Sequence, residues 1–343
     1  MAKLFTLSVD TLGSETEIND ILKGLNQSLL RNLNYKFQLY GPEEIIKKKI
    51  EKYKRLIKVT EIIDCDSYIT MEDKPSDILK SKKTSSMYLA IKSVTEHLTD
   101  AVLSFGNTGA LMSLSLLNIK TLKGIKRPAI ASIWPNMKGE SVVLDLGANT
   151  KLDSRYLIDN SILGASLASI LFKIDNPSIG LLNVGKEDNK GKDEIKLASD
   201  QLRDLSQNFS VNYYGYIEGN DISTGSTNVV VTDGFTGNIA LKTGEGTAKL
   251  IGEFVSESFK YDILSKICSI FAIKPLKRLK ERMDPRRVNG GVLLGLNGLV
   301  VKSHGNADHV GIEAAVKLAI RLTTNSFSQN LSSNLNNVGN KNT

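Results

Sequence analysis

The chain has 343 residues, of which 41% are hydrophobic and 24% are charged, a composition that is ordinary for a soluble globular protein. The longest apolar run, at 162–172, falls far short of the roughly 20 residues of a membrane-spanning helix, and the N-terminal residues have the pattern of a strand and not of a signal peptide. The net charge of +7 favours an anionic partner, which could be nucleic acid, a phosphorylated substrate, an acidic carrier protein or anionic lipid. Two cysteines far apart in the sequence argue against a disulfide framework and against a metal site.

In chain order, apolar runs typical of strands alternate with longer runs that have the periodicity of helices. Pro42 stands at the start of one predicted helix, where its missing N–H costs no hydrogen bond. The predicted strands are residues 4–10, 36–41, 101–105, 142–146, 179–184, 229–233 and 298–302. They are apolar throughout, as expected of strands whose two faces are both covered by helices. The pattern predicts a doubly wound, three-layer α/β sandwich with a mostly parallel sheet.

Five of the predicted strands end in turns that share glycine, asparagine and hydroxyl residues. These turns are residues 106–110, 147–150, 185–191, 232–238 and 303–308. Glycine lets the backbone approach a ligand, and the first N–H groups of a following helix can bind an anion. Because the carboxyl ends of parallel strands lie along one edge of a sheet, we expect the five turns to form one pocket suited to phosphate and a carbonyl. The alternative is that turns simply prefer these residues. A dinucleotide site is not supported, because the G-x-G-x-x-G motif is absent.

Residues 256–287 interrupt the alternation of strands and helices with an apolar and basic segment. Pro275 is expected to end a helix within it. After that helix, residues 274–287 contain seven Lys or Arg against two acids. The apolar side chains predicted on one helical face are Phe259, Ile263, Ile267, Ile270 and Phe271. A basic amphipathic segment favours an anionic membrane surface, and the alternative is a helix that packs in a dimer. A second basic stretch, 42–58, is interpreted as a solvated helix face with affinity for an acidic carrier.

Ordered motifs along nearly the whole chain resemble the bacterial phosphate acyltransferase family, PlsX. The motifs are "KKTSSM" (82–87), "SFGNTGALM" (104–112), "GIKRPA" (124–129), "VLDLGAN" (143–149), "GLLNVGKEDNKG" (180–191), "IEGNDI" (217–222), "VVVTDGFTGNIALKTGEG" (229–246) and "LGLNGLVVKSHGNAD" (294–308). The chain departs from the family at residues 10–15, where the family has Asp-Ala-Met-Gly-Gly-Asp, and at Asn220, where it usually has Arg. The three central turns keep the family pattern.

The resemblance implies a fold related to isopropylmalate dehydrogenase, a homodimer, and transfer of a fatty acyl group from acyl-acyl carrier protein to inorganic phosphate. The acyl phosphate product would supply phosphatidic acid and phospholipid synthesis. The expected partners are acyl carrier protein, a membrane-bound glycerol-3-phosphate acyltransferase and an anionic membrane surface, with no nucleic acid and no cofactor. The expected location is cytoplasmic, peripheral to the inner face of the membrane. The alternatives are a coenzyme A-dependent, phosphotransacetylase-like enzyme and a non-enzymatic lipid- or nucleic-acid-binding protein.

The reaction implies particular roles for residues in the motifs. Attack of phosphate on a thioester needs no protein nucleophile, but it does need a cation for phosphate and donors for the oxyanion. Lys190 is predicted to be the cation, although most lysines are simply solvated. Asn238 is predicted to donate to the oxyanion, with a helix N-cap as the alternative. Asp233 either orients one of these groups or closes its turn. His304 is a candidate general acid for the leaving thiolate, with a structural role as the alternative.

Phosphate is expected to contact the turns that surround these residues. The predicted phosphate-binding residues are Asn107, Thr108, Gly109, Asn149, Gly237 and Ser303. We expect residues 1–325 to form a single α/β domain that includes the basic protrusion at 256–287. The polar tail at 326–343 is predicted to be disordered.

Overall fold

The computed structural model describes residues 4–29, 35–74, 78, 83–208, 211–284, 286 and 290–324. The tail at 326–343, Arg287 and the side chain of Ile267 lie outside this description. The predictions made for them therefore stay predictions.

One sheet contains eleven strands of the described chain, in the order β3-β2-β1-β4-β11-β10-β5-β6-β9-β7-β8. The strands are β1 Phe5–Asp10, β2 Tyr35–Gly41, β3 Thr60–Asp64, β4 Ala101–Ser104, β5 Ala129–Asn136, β6 Gly139–Leu144, β7 Ile179–Leu182, β8 Tyr213–Ile217, β9 Val229–Val231, β10 Gly291–Leu294 and β11 Leu299–Lys302. All pairs are parallel except those of β10 with β11, β10 with β5 and β5 with β6. The predicted mostly parallel α/β fold is confirmed.

Helices cover both faces of this sheet. They are α1 Ile18–Ser28, α2 Glu43–Ile50, α3 Lys54–Ile57, α4 Ser86–Thr95, α5 Thr108–Asn118, α6 Ser154–Phe172, α7 Asp193–Asn208, α8 Gly219–Thr224, α9 Gly234–Ser258, α10 Ile263–Phe271, α11 Ile273–Met283 and α12 His309–Thr324. Alternate residues of one strand enter different cores: Leu103 packs in the core of the α1, α6 and α12 layer, and Val102 packs beneath α4 and α5. This alternation explains why the strands are apolar on both faces.

The three antiparallel pairs divide the sheet into two halves that run in opposite directions. The strands β3, β2, β1, β4 and β11 point one way, and β6, β9, β7 and β8 point the other way. The expectation that all five turns share one edge is therefore wrong. The turns after β4 and β11 point in one direction along the sheet, and the turns after β6, β7 and β9 point in the opposite direction. The predicted strands included neither β5 nor β10, and the direction of a strand depends on the partners with which it pairs, which the sequence of one segment does not give.

The register shows how close these two sets of strand ends nevertheless come. Lys302 at the end of β11 pairs with Gly291, and Gly291 pairs with Ser132 of β5. The next residue of β5, Ala131, pairs with Leu144 at the end of β6. The two sets of carboxyl ends therefore lie at nearly the same height in the sheet, three strand spacings or roughly 14 Å apart.

The long helix α9 connects the two sets of strand ends. It begins after β9 and passes over β5, where Gly244 lies so close to Trp134 that a Cβ atom would come within 2.9 Å of the indole ring. Beyond α9, the chain continues in α10 and α11, and α11 contacts α9. The predicted break of the helix is present: α10 ends at Phe271, and α11 begins at Ile273 after a bend at Ala272. Pro275 lies inside the first turn of α11, where a helix tolerates proline.

Among the residues that the structure describes, none of the helices has both the length and the apolar character needed to cross a membrane.

Candidate active site

A cleft of about 1080 Å³ lies between α9 and the face of the sheet formed by β5 and β10. It reaches both sets of strand ends. Thr108, Lys302, Ser303 and His304 line the end near β4 and β11. The opposite end, near β6, β7 and β9, is lined by Gly147, Asn183, Thr236 and Asn238. Four of the five predicted turns therefore reach one cleft, because α9 crosses from one set of strand ends to the other. Among the described residues, none of the turn at 185–191 lines it.

At the β4–β11 end, a buried acid lies behind the wall of the cleft. Asp10, the last residue of β1, accepts hydrogen bonds from Ser86 Oγ at 2.6 Å and from Ser104 Oγ at 2.7 Å. Burial raises the pKa of Asp10 to about 6, against the opposing effect of these hydrogen bonds. The Lys302 ammonium group is close enough to act in the same sense as the hydrogen bonds.

Lys302 presents a cation to the same end of the cleft. Its Nζ donates to the carbonyl oxygens of Ser303 and Phe105, the latter at 3.5 Å. Burial lowers the pKa of Lys302 to about 8; the Asp10 carboxylate opposes this shift and the Lys242 ammonium group adds to it. Lys242 is exposed, lies on α9 and lines the cleft as well, and its Nζ lies 3.5 Å from Oε2 of Glu245. Two ammonium groups in one cleft favour an anion there, although Glu245 lies beside one of them and Asp10 near the other.

The turn after β4 uses its asparagine for structure. Asn107 caps α5: its Oδ1 accepts from the N–H of Ala110 at 3.1 Å, and its Nδ2 donates to the carbonyl oxygen of Met71 at 2.9 Å. Both ends of this amide are therefore engaged. The next residue, Thr108, lines the cleft at the first turn of α5, and Gly109 follows it within the same turn. Anions are stabilised at such a helix N-terminus.

At the opposite end, Asp145 organises the turn after β6. It is fully buried and accepts from the N–H groups of Ile130, Gly147, Ala148 and Asn149 at 2.7–3.0 Å. Burial raises the pKa of Asp145, and these hydrogen bonds oppose the shift.

Tyr156 and Asn149 complete this network. The Tyr156 hydroxyl donates to Asp145 at 2.9 Å, while Asn149 Nδ2 donates to Tyr156 Oη at 2.7 Å and to the Pro128 carbonyl oxygen at 2.8 Å. Asn149, predicted to bind phosphate, therefore holds its own turn in place.

The start of α9 packs directly on this turn. Asp233 is the N-cap of α9 and accepts from the N–H groups of Phe235 and Thr236, both at 3.0 Å. It therefore closes its turn, and Asn238, four residues inside α9, is not the cap. Gly237 approaches so closely that a Cβ atom would lie 1.9 Å from the carbonyl oxygen of Asp145. This glycine serves packing between the helix and the turn.

Three polar residues follow one another along the cleft face of α9. Asn238, Lys242 and Glu245 are spaced by four and three residues, so they lie on one side of the helix. Glu245 pairs with His304: Oε1 lies 3.2 Å from Nε2. That hydrogen bond is the main reason why the pKa of Glu245 is lowered.

Lys190 lies elsewhere. Its ammonium group is half exposed, 2.8 Å from Oε1 of Glu187, in the loop after β7. It is not one of the residues that line the cleft in the described part of the chain. The side chain of Asn183, which does line the cleft, donates to the carbonyl oxygen of Lys190 at 3.2 Å and thereby supports this loop.

Sequence reasoning missed Asp10, Asp145, Lys242 and Lys302. Three of them share one signal: a charged residue at the end of an apolar strand, or one residue beyond it. A buried charge at a strand end is costly unless it is paired or functional, so this pattern marks candidates for a site. Lys242 shows no comparable signal, because it is one lysine in an ordinary helical pattern.

Comparisons with known proteins agree with this architecture. Residues 5–330 match the family model described as "Fatty acid synthesis protein". A phosphate acyltransferase from Paracoccus denitrificans is 43% identical over 327 residues, which cover 95% of this chain and 88% of that protein. A phosphate acyltransferase from Sinorhizobium medicae is 42% identical over 330 residues, which cover 96% of this chain and 95% of that protein.

Two solved structures share the fold at low sequence identity. A phosphotransacetylase from Streptococcus pyogenes has a TM-score of 0.60 at 15% identity, covering 94% of this chain and 95% of that one. The EutD phosphotransacetylase from Staphylococcus aureus has a TM-score of 0.57 at 14% identity, covering 95% of this chain and 94% of that one. The matched length and the identity of the relatives place the chain in the phosphate acyltransferase (PlsX) family of fatty acid synthesis proteins, and it is an acyltransferase.

Proposed function

We propose that the chain transfers a fatty acyl group from acyl-acyl carrier protein to inorganic phosphate, and that the acyl phosphate enters phosphatidic acid and phospholipid synthesis. The observation that carries the proposal is the convergence of Lys302 and Lys242 on one cleft, beside Thr108 and Ser303. Phosphate placed there would neutralise both lysines. Thr108 and Ser303 would supply hydrogen-bond donors to its oxygens.

The cleft face of α9 supplies the remaining groups in order. A phosphate oxygen held by Lys302 and Lys242 attacks the thioester carbon; a C–O bond forms and the C–S bond breaks. Asn238, one helical turn before Lys242, donates to the oxyanion. His304 delivers a proton to the leaving thiolate and is oriented by Glu245 at 3.2 Å. Asp233, Gly237 and Asn149 hold the turn that positions Asn238. The assignment of phosphate to Lys190 stays a prediction that a variant can test.

Acyl carrier protein is proposed as the donor because the family resemblance implies it and a basic protein surface extends beyond the cleft; charge alone does not exclude coenzyme A, which is also anionic. The chain is positive by +7, and the surface helix α2 has Lys47, Lys48 and Lys49 in its last turn, which suits an acidic protein. The test is thioester consumption by the purified chain with each donor, with and without phosphate. We expect phosphate-dependent release of thiol from acyl-acyl carrier protein and little from acyl-coenzyme A. The reverse preference would make the chain a phosphotransacetylase-like enzyme, and salt-sensitive binding without turnover would leave only a binding protein.

We propose further that the chain is a homodimer and attaches peripherally to the inner face of the membrane, where a membrane-bound glycerol-3-phosphate acyltransferase takes the product. The support is the apolar side of α10, which a single chain leaves uncovered: Ile263 is 76% exposed, Leu264 69% and Phe271 86%. The basic residues of α11 follow it. Arg286 is engaged by Asp284 and Asp308, both at 2.6 Å, and so adds little to lipid binding.

Vesicle co-sedimentation tests the membrane contact. Each lysine or arginine near an anionic surface contributes about 1 kcal/mol, so attachment should be reversible and weakened by salt. The double variant Ile263→Glu, Phe271→Glu should no longer co-sediment with anionic vesicles, while its turnover of the thioester in solution should be unchanged. Met137→Glu, at a position 76% exposed and outside α10, is the matched control. If the double variant still binds vesicles but its dimer dissociates in sedimentation equilibrium, the apolar side of α10 packs against a second copy instead.

A further inference from the structure

A second cavity, of about 1090 Å³, lies on the other side of α9. We call it the α9–α11 groove. Residues of α9, of α11 and of the segment 306–311 at the start of α12 form its walls. Its lining exposes more apolar than polar surface, with Val255, Phe259 and Leu276 among the lining residues. Charged residues of both signs, such as Lys249 and Glu253, also line it, and the lysine stems can cover apolar surface while the ammonium groups stay in water.

The groove is continuous with the cleft. Five residues line both: Lys242, Glu245, Ala248, Asp284 and His304. The Glu245–His304 pair therefore stands at the boundary between the two cavities. A molecule that reacts beside His304 can extend from the cleft into the groove without leaving the protein surface.

Two glycines of α9 keep the groove open. Gly246 and Gly252 both line it, and a Cβ atom built on either would meet no other atom within 4 Å. Glycine lowers helix stability by about 1 kcal/mol relative to alanine, so two of them in the exposed part of one helix are costly. A ligand that occupied the open space beside these glycines would give a reason for their presence, because side chains there would take up part of that space.

The dimensions suit a long hydrocarbon chain. From Glu245 to Phe259, α9 rises about 21 Å at 1.5 Å per residue. An extended chain of sixteen carbons spans roughly 18 Å, taking the extended backbone's 3.6 Å per three bonds. Groove length and ligand length therefore agree.

We infer that the α9–α11 groove binds the fatty acyl chain of the donor thioester, with the thioester carbonyl in the cleft beside Lys242 and His304. This inference rests on the proposed function, because it requires a long-chain acyl donor. A pocket of this volume is at the upper end for small-molecule sites, as a long chain requires. The apolar interior would hold the chain through burial of successive methylene groups.

The test narrows the groove with Gly252→Phe. The new ring has room within the fold and would occupy the space that we assign to the chain. The matched control is Leu250→Phe, on the same helix at a side chain 48% exposed and outside the lining of either cavity among the described residues. We expect Gly252→Phe to lower kcat/KM at least roughly ten-fold with a sixteen-carbon acyl-carrier donor and by less than about two-fold with a four-carbon donor. Leu250→Phe should change neither.

A binding measurement separates the groove from the chemistry. A conjugated polyene fatty acid, whose fluorescence rises in apolar surroundings, should bind the unmodified chain and the Leu250→Phe variant, and bind Gly252→Phe at least about ten-fold more weakly. This holds even if no thioester is turned over, so a failure of the proposed function would be recognised separately. Equal losses with both donors, or undiminished binding of the polyene by Gly252→Phe, would overturn the inference. A change in sedimentation behaviour for Gly252→Phe, with equal losses on both donors, would show that a second copy of the chain fills the groove.

Discussion

The two ends of the cleft use similar residues for different purposes. At the β6–β9 end, Asp145 and Asp233 accept hydrogen bonds from backbone N–H groups of the protein itself. Asn149 donates to a backbone carbonyl and to a tyrosine hydroxyl. At the β4–β11 end, Lys302 turns a partly desolvated ammonium group toward the cleft, with the buried Asp10 behind it. The first arrangement makes a rigid turn, and the second makes a site with charge left for a ligand.

This difference shows that a polar turn at a strand end does not reveal its role through its residue types. Asn107 and Asn149 are both predicted to bind phosphate, and both make structural hydrogen bonds instead. Asn107 uses both its amide oxygen and its amide nitrogen, and the amide nitrogen of Asn149 donates to two acceptors. Position in the cleft distinguishes the candidates better than residue type. Lys302 and Lys242 line the cleft even though each also has partners within the protein, whereas Asn107 and Asn149 are not among the described residues that line it.

The largest effect is expected from the structural end. Asp145→Ala removes the acceptor of four backbone N–H groups and the Tyr156 hydroxyl, all of which are at least partly buried. Unfolding free energy should fall by about 3–5 kcal/mol, because buried donors without acceptors are costly. Chemical denaturation measures the loss. If the variant kept its stability but lost turnover, Asp145 would belong to the chemistry, and the contrast between the two ends would be wrong.

The next effect concerns the choice of phosphate cation. Lys302→Met keeps the apolar stem and removes the charge, and it should lower kcat/KM for phosphate by roughly 10²–10³-fold. Lys190→Met is the matched variant at the surface lysine paired with Glu187. We expect it to lower kcat/KM for phosphate by less than about three-fold. Saturation kinetics in phosphate, with thermal unfolding as a check on folding, measure both. A large loss at Lys190 and none at Lys302 would restore the assignment based on the sequence.

A somewhat smaller effect is expected at Asn238, where the β6–β9 end meets the α9 residues of the cleft. Asn238→Ala should lower kcat on the order of 10²-fold if its amide donates to the oxyanion. Stability should change little, because Asp233 caps the helix. Asn238→Gln is a useful companion, since it keeps the amide and displaces it. A fall in stability with unchanged kcat would show that Asn238 supports the fold in the same way as Asn149.

The smallest effect is a pH dependence. Burial lowers the pKa of Lys302 to about 8, so its ammonium form is complete well below pH 8 and declines above it. Since kcat/KM reports groups of the free enzyme, kcat/KM for phosphate should fall about ten-fold per pH unit once the pH is well above 8. Lys302→Arg keeps its charge to a much higher pH and should remove this decline. A decline that persists in Lys302→Arg would assign the titration to another group.

Much of the fold follows from local patterns in the sequence. The predicted bounds of β1, β2, β4, β7, β9 and β11 lie within two residues of those in the structure, and the apolar character of both faces predicted helices on each side of the sheet. The basic stretch at 42–58 forms α2 and the short α3, with Pro42 directly before α2. The amphipathic pattern predicted one apolar helical face over 259–271; α10 carries Ile263, Ile270 and Phe271 of that face, and these side chains are exposed, whereas Phe259 lies at the end of α9. These features depend on periodicity within a few turns, so one segment is enough to reveal them.

The candidate site depends on contacts between distant segments. Asp10 is bound by Ser104, 94 residues away, and Lys302 meets the α9 residue Lys242 across the cleft. No local pattern distinguishes a solvated lysine such as Lys190 from a desolvated one such as Lys302, because the segments that pack around the side chain remove it from water.

The sequence alone therefore determined the α/β class, the family through its ordered motifs, and the set of strand ends from which the cleft is built. Only the tertiary structure decided that β10 and β5 reverse the direction of the sheet, that α9 joins the two resulting sets of strand ends, and that Lys302 is desolvated at the wall of the cleft while Asp145 and Asn149 hold a turn together. The reason is physical: strand direction, burial and hydrogen-bond capacity are properties of pairs of segments, and a single stretch of sequence carries only half of each pair.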